Sequence, residues 1–159
     1  MNKQNIEFID AFKEKSLHPD VINFWNEVIP QADFDREKRV KHLVTVAKHE
    51  NSIIGVTTGE PKKIPMLNNN SFFNFRTLIH PSFRMPGLID KLSLVTIARL
   101  ENEFRTGQTP AIGLITLVEN EALNQQRREP IFPSTGFVFM GYSKKGFQIR
   151  VRYFKGAKI

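Results

Sequence analysis

The chain has 159 residues, 40% of them hydrophobic and 25% charged, with a formal net charge of +7 and no cysteine. That length suits one domain with one sizeable core, and the composition is that of a globular chain and not a disordered one. Disulfides, thiolate metal ligands and a cysteine nucleophile are excluded, and no run of about 18 apolar residues reads as a membrane span. Residues 1–15 lack the apolar core and cleavage site of a secretory signal, so the cytoplasm is the expected compartment.

Ile6, Ile9 and Phe12, with Phe8 beside them, recur at helical spacing, and residues 2–15 are expected to form a helix. His18-Pro19-Asp20 starts a second one. Pro19 suits a first helical turn, and Val21, Ile22, Trp25, Val28 and Ile29 form an apolar stripe that stops at Pro30. Residues 36–41 read as a charged connection. A β-branched run over 40–47, a turn at 49–52 and a second run over 53–58 make a hairpin. Residues 61–70, rich in Pro, Lys and Asn, read as a loop, and 72–79 as a third strand with Phe73, Phe75, Thr77 and Ile79 on one face. Residues 88–104 have helical periodicity in Leu88, Leu92, Val95 and Leu100, closed by Gly107 and Pro110. Residues 111–118 are nearly all apolar, the pattern of a strand buried in a parallel pairing. A polar helix over 119–128 breaks at Pro130, and strands over 136–142 and 147–154 follow. The last alternates Phe147, Ile149, Val151 and Tyr153 against Gln148, Arg150 and Arg152. This order predicts an α/β chain with a mixed sheet and helices on both faces. No repeat or linker divides it, so residues 1–159 are expected to be one domain: helices over 1–36, the hairpin to the core strand over 40–118, and a helix with two strands over 119–159.

Two features carry chemistry. From residue 130 to residue 159 there is no Asp or Glu, while Lys144, Lys145, Arg150, Arg152, Lys155 and Lys158 all lie there. Such a field attracts phosphates or acidic partners, although a solvated strand face gives the same pattern. The second is Leu78-Ile79-His80-Pro81-Ser82-Phe83-Arg84-Met85-Pro86-Gly87-Leu88-Ile89, a strand, a turn and a glycine at the entry to a helix. The first amides of a helix have no internal partners and sit at its positive end. A glycine lets an anion approach, and an arginine adds donors. Gly and Pro before a helix also have a purely structural use. His18, His42, His49 and His80 are scattered and match no metal-ligand spacing, and no nucleophile elbow, Walker loop or Rossmann glycine triplet is present.

The 78–89 segment resembles the acyl-CoA-binding signature of the GNAT superfamily of N-acetyltransferases. That signature is a strand ending in an aliphatic residue, then a Pro, an aromatic, and Arg-x-x-Gly-x-Gly/Ala opening a long helix. Ile79, Pro81, Phe83, Arg84 and Gly87 fall on those positions. Asn120-Glu121-Ala122 after an apolar strand, Gly136-Phe137, and the Ile53-Ile54-Gly55-Val56 hairpin strand extend the similarity from residue 40 to residue 154. The resemblance implies a mixed, mostly antiparallel sheet of six to seven strands with helices on both faces. It implies acetyl-CoA or another acyl-CoA, with Arg84, Met85, Gly87, Leu88 and Ile89 at the pyrophosphate, Leu78 and Ile79 beside the pantetheine arm, and Asn120 at the start of the next helix. The implied activity is direct N-acyl transfer to an amine, by a monomer or homodimer.

The sequence departs from the family pattern in three places. Ile89 stands at the second small position, and Pro86 has no N–H to donate. Phe132 stands where many members place a tyrosine acid. The strand over 72–79 has no acidic residue, which leaves His80 and Glu60 as candidate general bases. These departures carry a second reading, a GNAT-like binding module that meets nucleic acid or an acidic protein through Lys144, Lys145, Arg150 and Arg152.

Overall fold

A computed structural model describes residues 5–159. Its elements are β1 (Ile6–Asp10), α1 (His18–Val28), α2 (Arg36–Arg39), β2 (Leu43–His49), β3 (Ser52–Ile64), β4 (Asn70–Ile79), α3 (Leu88–Arg105), β5 (Ala111–Leu117), α4 (Glu121–Gln126), β6 (Val138–Tyr142) and β7 (Gln148–Tyr153). The strands form a seven-stranded sheet in the order β1-β2-β3-β4-β5-β7-β6. The pairs β1–β2, β2–β3, β5–β7 and β6–β7 are antiparallel, and β4 pairs with β5 in parallel. This is the mixed, mostly antiparallel sheet expected. Among the described residues no helix is long and apolar enough to cross a membrane. The chain divides into two compact units, one comprising residues up to Gly59 with Thr77–Arg99, the other Glu60–Arg76 with Leu100–Ile159.

In the first unit the sheet is covered on both faces. Val21, Phe24 and Trp25 of α1 are buried against Leu43, Val46 and Val56, while Leu88 and Leu92 of α3 are buried against Ala47, Ile54 and Ile79. Val46 and Ala47 are adjacent on β2 and so point to opposite faces. This double cover explains the first correction: where a helix was expected over 2–15, residues Ile6–Asp10 form a strand, and residues 2–4 lie outside the described residues. Ile6 and Phe8 pack against the α3 cluster and Ile9 against the α1 cluster. A strand apolar on both faces loses clean alternation, and its apolar positions then mimic a helical stripe.

A buried hydroxyl network holds α3 to β2 and β3. Thr96 Oγ1 donates to Leu92 O at 2.9 Å and lies 2.9 Å from Thr45 Oγ1 and 2.8 Å from Thr57 Oγ1. With its own proton committed, Thr96 accepts from both partners. Thr57 Oγ1 also accepts the Thr45 N–H at 3.1 Å, at the point where the β2–β3 register shifts.

Two further boundaries move. The charged connection contains α2, because Asp35 accepts the Lys38 N–H at 3.0 Å and caps a short helix; β2 then begins at Leu43. The strand expected to stop at Thr58 continues to Ile64, through Pro61. Proline is tolerated where a strand leaves the covered part of a sheet, and residues 61–63 are exposed.

In the second unit, Phe75 stacks on Phe137 at 5.9 Å, and Phe104 and Phe73 meet Phe154 at 5.4 and 6.2 Å. β7 corrects the expected basic surface. Gln148 and Arg150 are 1% exposed. Arg150 Nε donates to Gln148 Oε1 at 2.7 Å, and Nη1 donates to Phe137 O at 3.2 Å and Pro130 O at 3.4 Å. Its guanidinium lies 3.5 Å from the centre of the Phe132 ring. Burial holds the Arg150 pKa below its ordinary value, opposed by Glu129 and Tyr142, and the group stays charged at any ordinary pH. Arg152 is half-buried and its Nη1 donates to Thr135 O. Of the four cations assigned to a basic binding surface, Lys144 and Lys145 are exposed.

Candidate functional site

The segment 78–92 lies wholly in the first unit. β4 ends at Ile79, buried with Leu88 and Leu92, while Phe83, Met85 and Ile89 pack on the same cluster. Gly55 allows this closeness: a Cβ there would stand 3.1 Å from Leu92 Cδ2. The turn is tied to β3 by one long-range hydrogen bond and otherwise built from local ones. The His80 N–H donates to Ile54 O at 2.7 Å, the Phe83 N–H to His80 O at 2.9 Å, and the Met85 N–H to Phe83 O at 2.8 Å. That last bond spans one residue, and Arg84 at φ −76°, ψ 76° has the geometry of an inverse γ-turn. Gly87 follows at φ 83°, a left-handed conformation that glycine adopts without strain.

The turn decides which amides remain for an anion. Met85 and Leu88 donate to Phe83 O and Met85 O, the second bond a long one at 3.3 Å, and Lys91 donates to Gly87 O. Pro86 has none to give. Among the described residues the amides of Gly87 and Ile89 have no backbone acceptor. Arg84 is exposed, and its Nε donates back to Ile79 O at 3.3 Å, which sets the guanidinium over the strand end. Beside the turn, Ile6, Phe8, Gly87, Leu88 and Lys91 line a cleft of about 100 Å³.

The candidate bases have definite local roles. His80 Nδ1 accepts the Ser82 N–H at 3.1 Å and caps the turn. A neutral His80 therefore carries its proton on Nε2, which lies 3.9 Å from Glu27 Oε1. Glu27, an exposed carboxylate of α1, was not singled out from the sequence; one acid on the polar face of a helix carries no signal. Glu60 belongs to the second unit and lies 3.8 Å from Lys62 Nζ. Asn120, in the same unit, caps α4 by accepting the Leu123 N–H at 3.0 Å. Phe132 is buried beneath Arg150, and the Tyr142 hydroxyl accepts from Arg128 at 2.8 Å.

No protein-family model matches the chain, and no curated protein matches it by sequence. Solved structures do. An acetyltransferase of the GNAT family from Streptococcus pneumoniae superposes with a TM-score of 0.58 at 15% identity, covering 92% of this chain and 96% of that one. YncA from Salmonella typhimurium, solved with acetyl-CoA, gives 0.64 at 12% identity over 98% and 97%. The ribosomal-protein-S18-alanine N-acetyltransferase from Escherichia coli gives 0.59 at 11% identity over 96% of both. The fold is that of the GNAT acetyltransferases.

Proposed function

We propose that the chain is a CoA-dependent N-acyltransferase, with acetyl the first acyl group to test. The observation that carries this reading is the strand–turn–helix at Leu78–Leu92, with Arg84 and Gly87 in place, set within a GNAT fold. Its residues fit a pyrophosphate. The amides of Gly87 and Ile89 sit at the positive end of α3 without backbone acceptors, Gly87 offers no side chain in the way, and exposed Arg84 adds charge. Met85 and Leu88 contribute less, since their amides are engaged. Leu78 and Ile79 would lie along the pantetheine arm, and Asn120 is the remaining candidate contact. Acyl-CoA, when bound, supplies the thioester that an amine nitrogen attacks.

The chain must also leave that amine unprotonated. His80 has the better position and the poorer chemistry for a base, because its lone pair at Nδ1 already accepts from Ser82. Taking up a proton there would break the cap. Glu27 beside it is an open carboxylate and an entry for the proton by way of water; Glu60 is the alternative. A His80→Gln chain is expected to lose less than about tenfold in kcat if capping is its main role, against 100-fold or more if it is the base.

The binding-module reading loses Arg150 and Arg152 as surface contacts, though Phe132 in place of an acid still favours slow turnover. Calorimetry with acetyl-CoA, followed by thiol release over a panel of amines, decides between them. Binding with turnover supports the transferase. No binding at about millimolar cofactor ends that reading.

A further inference from the structure

β6 lies at the edge of the sheet, and all of it but Gly141 is exposed. Its pairing with β7 sets Val138 opposite Val151 and Phe139 opposite Arg150, then shifts, so that Gly141 faces Ile149 and Tyr142 faces Gln148. The shift is a bulge, and Gly141 at φ 143° supplies a conformation that residues with a side chain rarely adopt. Strict alternation would put Phe139 and Tyr142 on opposite faces of the strand. With the bulge both share the face of Arg150 and Gln148, and their rings meet edge to face at 5.1 Å. Phe139 is 38% exposed and Tyr142 50%. The bulge thus gathers aromatic rings at the surface without burying them.

Cations surround these rings. Arg128 Nη2 donates to the Tyr142 hydroxyl at 2.8 Å, and exposed Lys144 and Lys145 follow Tyr142 in the turn to β7. Glu129 is the one acid beside them in the chain, and none follows it. Exposed rings set among cations are what hold a single-stranded nucleic acid, because the charge follows the phosphates while the rings stack on bases. A duplex keeps its base faces inside, and an acidic polypeptide would answer the charge but leave the rings without a use. A second copy would bring the same positive field, since the unit Glu60–Arg76 with Leu100–Ile159 carries twelve Lys and Arg against six Asp and Glu. Nor could it extend the sheet at Val138 and Phe139, where Ile131 already bridges Val138 and the Phe139 N–H donates to Pro130 O. We propose that this edge binds single-stranded nucleic acid, with bases stacked on Tyr142 and Phe139 and phosphates held by Arg128, Lys144 and Lys145.

The test uses the full chain without acyl-CoA, so that it stands or falls independently of the transferase reading. The probes are fluorescent oligouridylate and oligothymidylate strands of about twelve nucleotides, followed by anisotropy. Controls are an abasic strand of the same length, the thymidylate paired with its complement, and an oligoglutamate peptide. Binding of either single strand supports the proposal, and the tighter of the two identifies the sugar. Phosphate contacts to Arg128, Lys144 and Lys145 predict an affinity about 100-fold lower at about 500 mM than at about 50 mM salt. The abasic strand keeps the phosphates and should bind about tenfold more weakly. Tyr142→Leu keeps an apolar side chain on the strand but removes the flat ring, and should cost a similar factor. Because that change touches a strand, Lys144→Glu with Lys145→Glu in the exposed turn provides a second variant, expected to weaken binding and flatten its salt dependence. Failure of both strands to bind at low salt, equal affinity for the abasic strand, preference for the duplex or the peptide, or affinity unchanged in both variants would overturn the proposal. So would sedimentation showing a dimer that Tyr142→Leu dissociates, since the occupant would then be a second copy.

Discussion

β2 and β7 both carry polar side chains into the protein, and they do so in different settings. β2 in the first unit is buried on both faces from Leu43 to Ala47, between α1 and α3. Its one buried polar side chain, Thr45, is satisfied by the Thr96 hydroxyl, while its backbone N–H donates to Thr57 Oγ1. β7 in the second unit sends Gln148 and Arg150 to the face that meets α4 and Val151, 0% exposed, to the other, while Tyr153 at its end is exposed. What distinguishes them is the supply of acceptors. Thr45 needs one neighbour, whereas Arg150 is accommodated by a side-chain oxygen, two main-chain carbonyls and the face of Phe132. Burying a charge without such partners would cost several kcal/mol. The irregular segment from Pro130 to Phe137 therefore holds its path because it presents those carbonyls to Arg150.

The largest effect should come from breaking that arrangement. Arg150→Ala removes the donors to Gln148, Phe137 and Pro130 and empties the space over Phe132, at an expected cost of about 3 kcal/mol. Denaturant unfolding measures it, with Lys145→Ala as the exposed control, expected within about 0.5 kcal/mol of the parent. Equal losses in the two chains would mean that Arg150 is not buried.

Thr96→Val tests the other strand. It leaves the Thr45 and Thr57 hydroxyls without their acceptor inside the core, and about 2 kcal/mol should be lost. Changing Thr45 and Thr96 together to Val should recover part of it, because fewer polar groups then lack a partner. Additive losses would show that the three hydroxyls do not act as a unit.

The same comparison shows what could be read from the chain. The stripe of α1, the α3 periodicity and the apolar run of β5 were legible because each has one setting that suits it: an amphipathic surface or full burial. The order of those elements around Arg84 and Gly87 carried the fold. β1 was not legible, since a five-residue strand covered on both faces has apolar residues at 6, 8 and 9, and period alone cannot separate it from a helical turn. β7 was legible as a strand, but not that its polar side is buried as well as Val151 on the apolar side. Alternation gives two faces, and burial of the polar one rests on carbonyls of a distant, irregular segment. Within the site, the position of the turn was readable, but the amides it consumes were not. Those follow from the inverse γ-turn at Arg84 and from the Ser82 N–H capping onto His80.

Gly87→Ala addresses the turn directly. A residue with a Cβ at φ 83° is strained, at a cost of about 1 kcal/mol. If the turn cradles pyrophosphate, affinity for CoA should fall more than stability does, by tenfold or more in calorimetry. A stability loss with unchanged affinity would move the cofactor elsewhere.

The smallest effect is expected at Val138, and it bears on how far the burial of Val151 extends across to β6. Val138 stands opposite Val151, which is 0% exposed, and is itself 38% exposed. Threonine keeps its β-branched shape and strand preference while replacing a methyl with a hydroxyl that water can satisfy. If this position is open to water, Val138→Thr should change unfolding free energy by less than about 0.5 kcal/mol. A loss near 2 kcal/mol would mean that this methyl is covered in the isolated chain. Val138 would then share the burial of Val151, which is 0% exposed opposite it, and the contrast with β2 would narrow further.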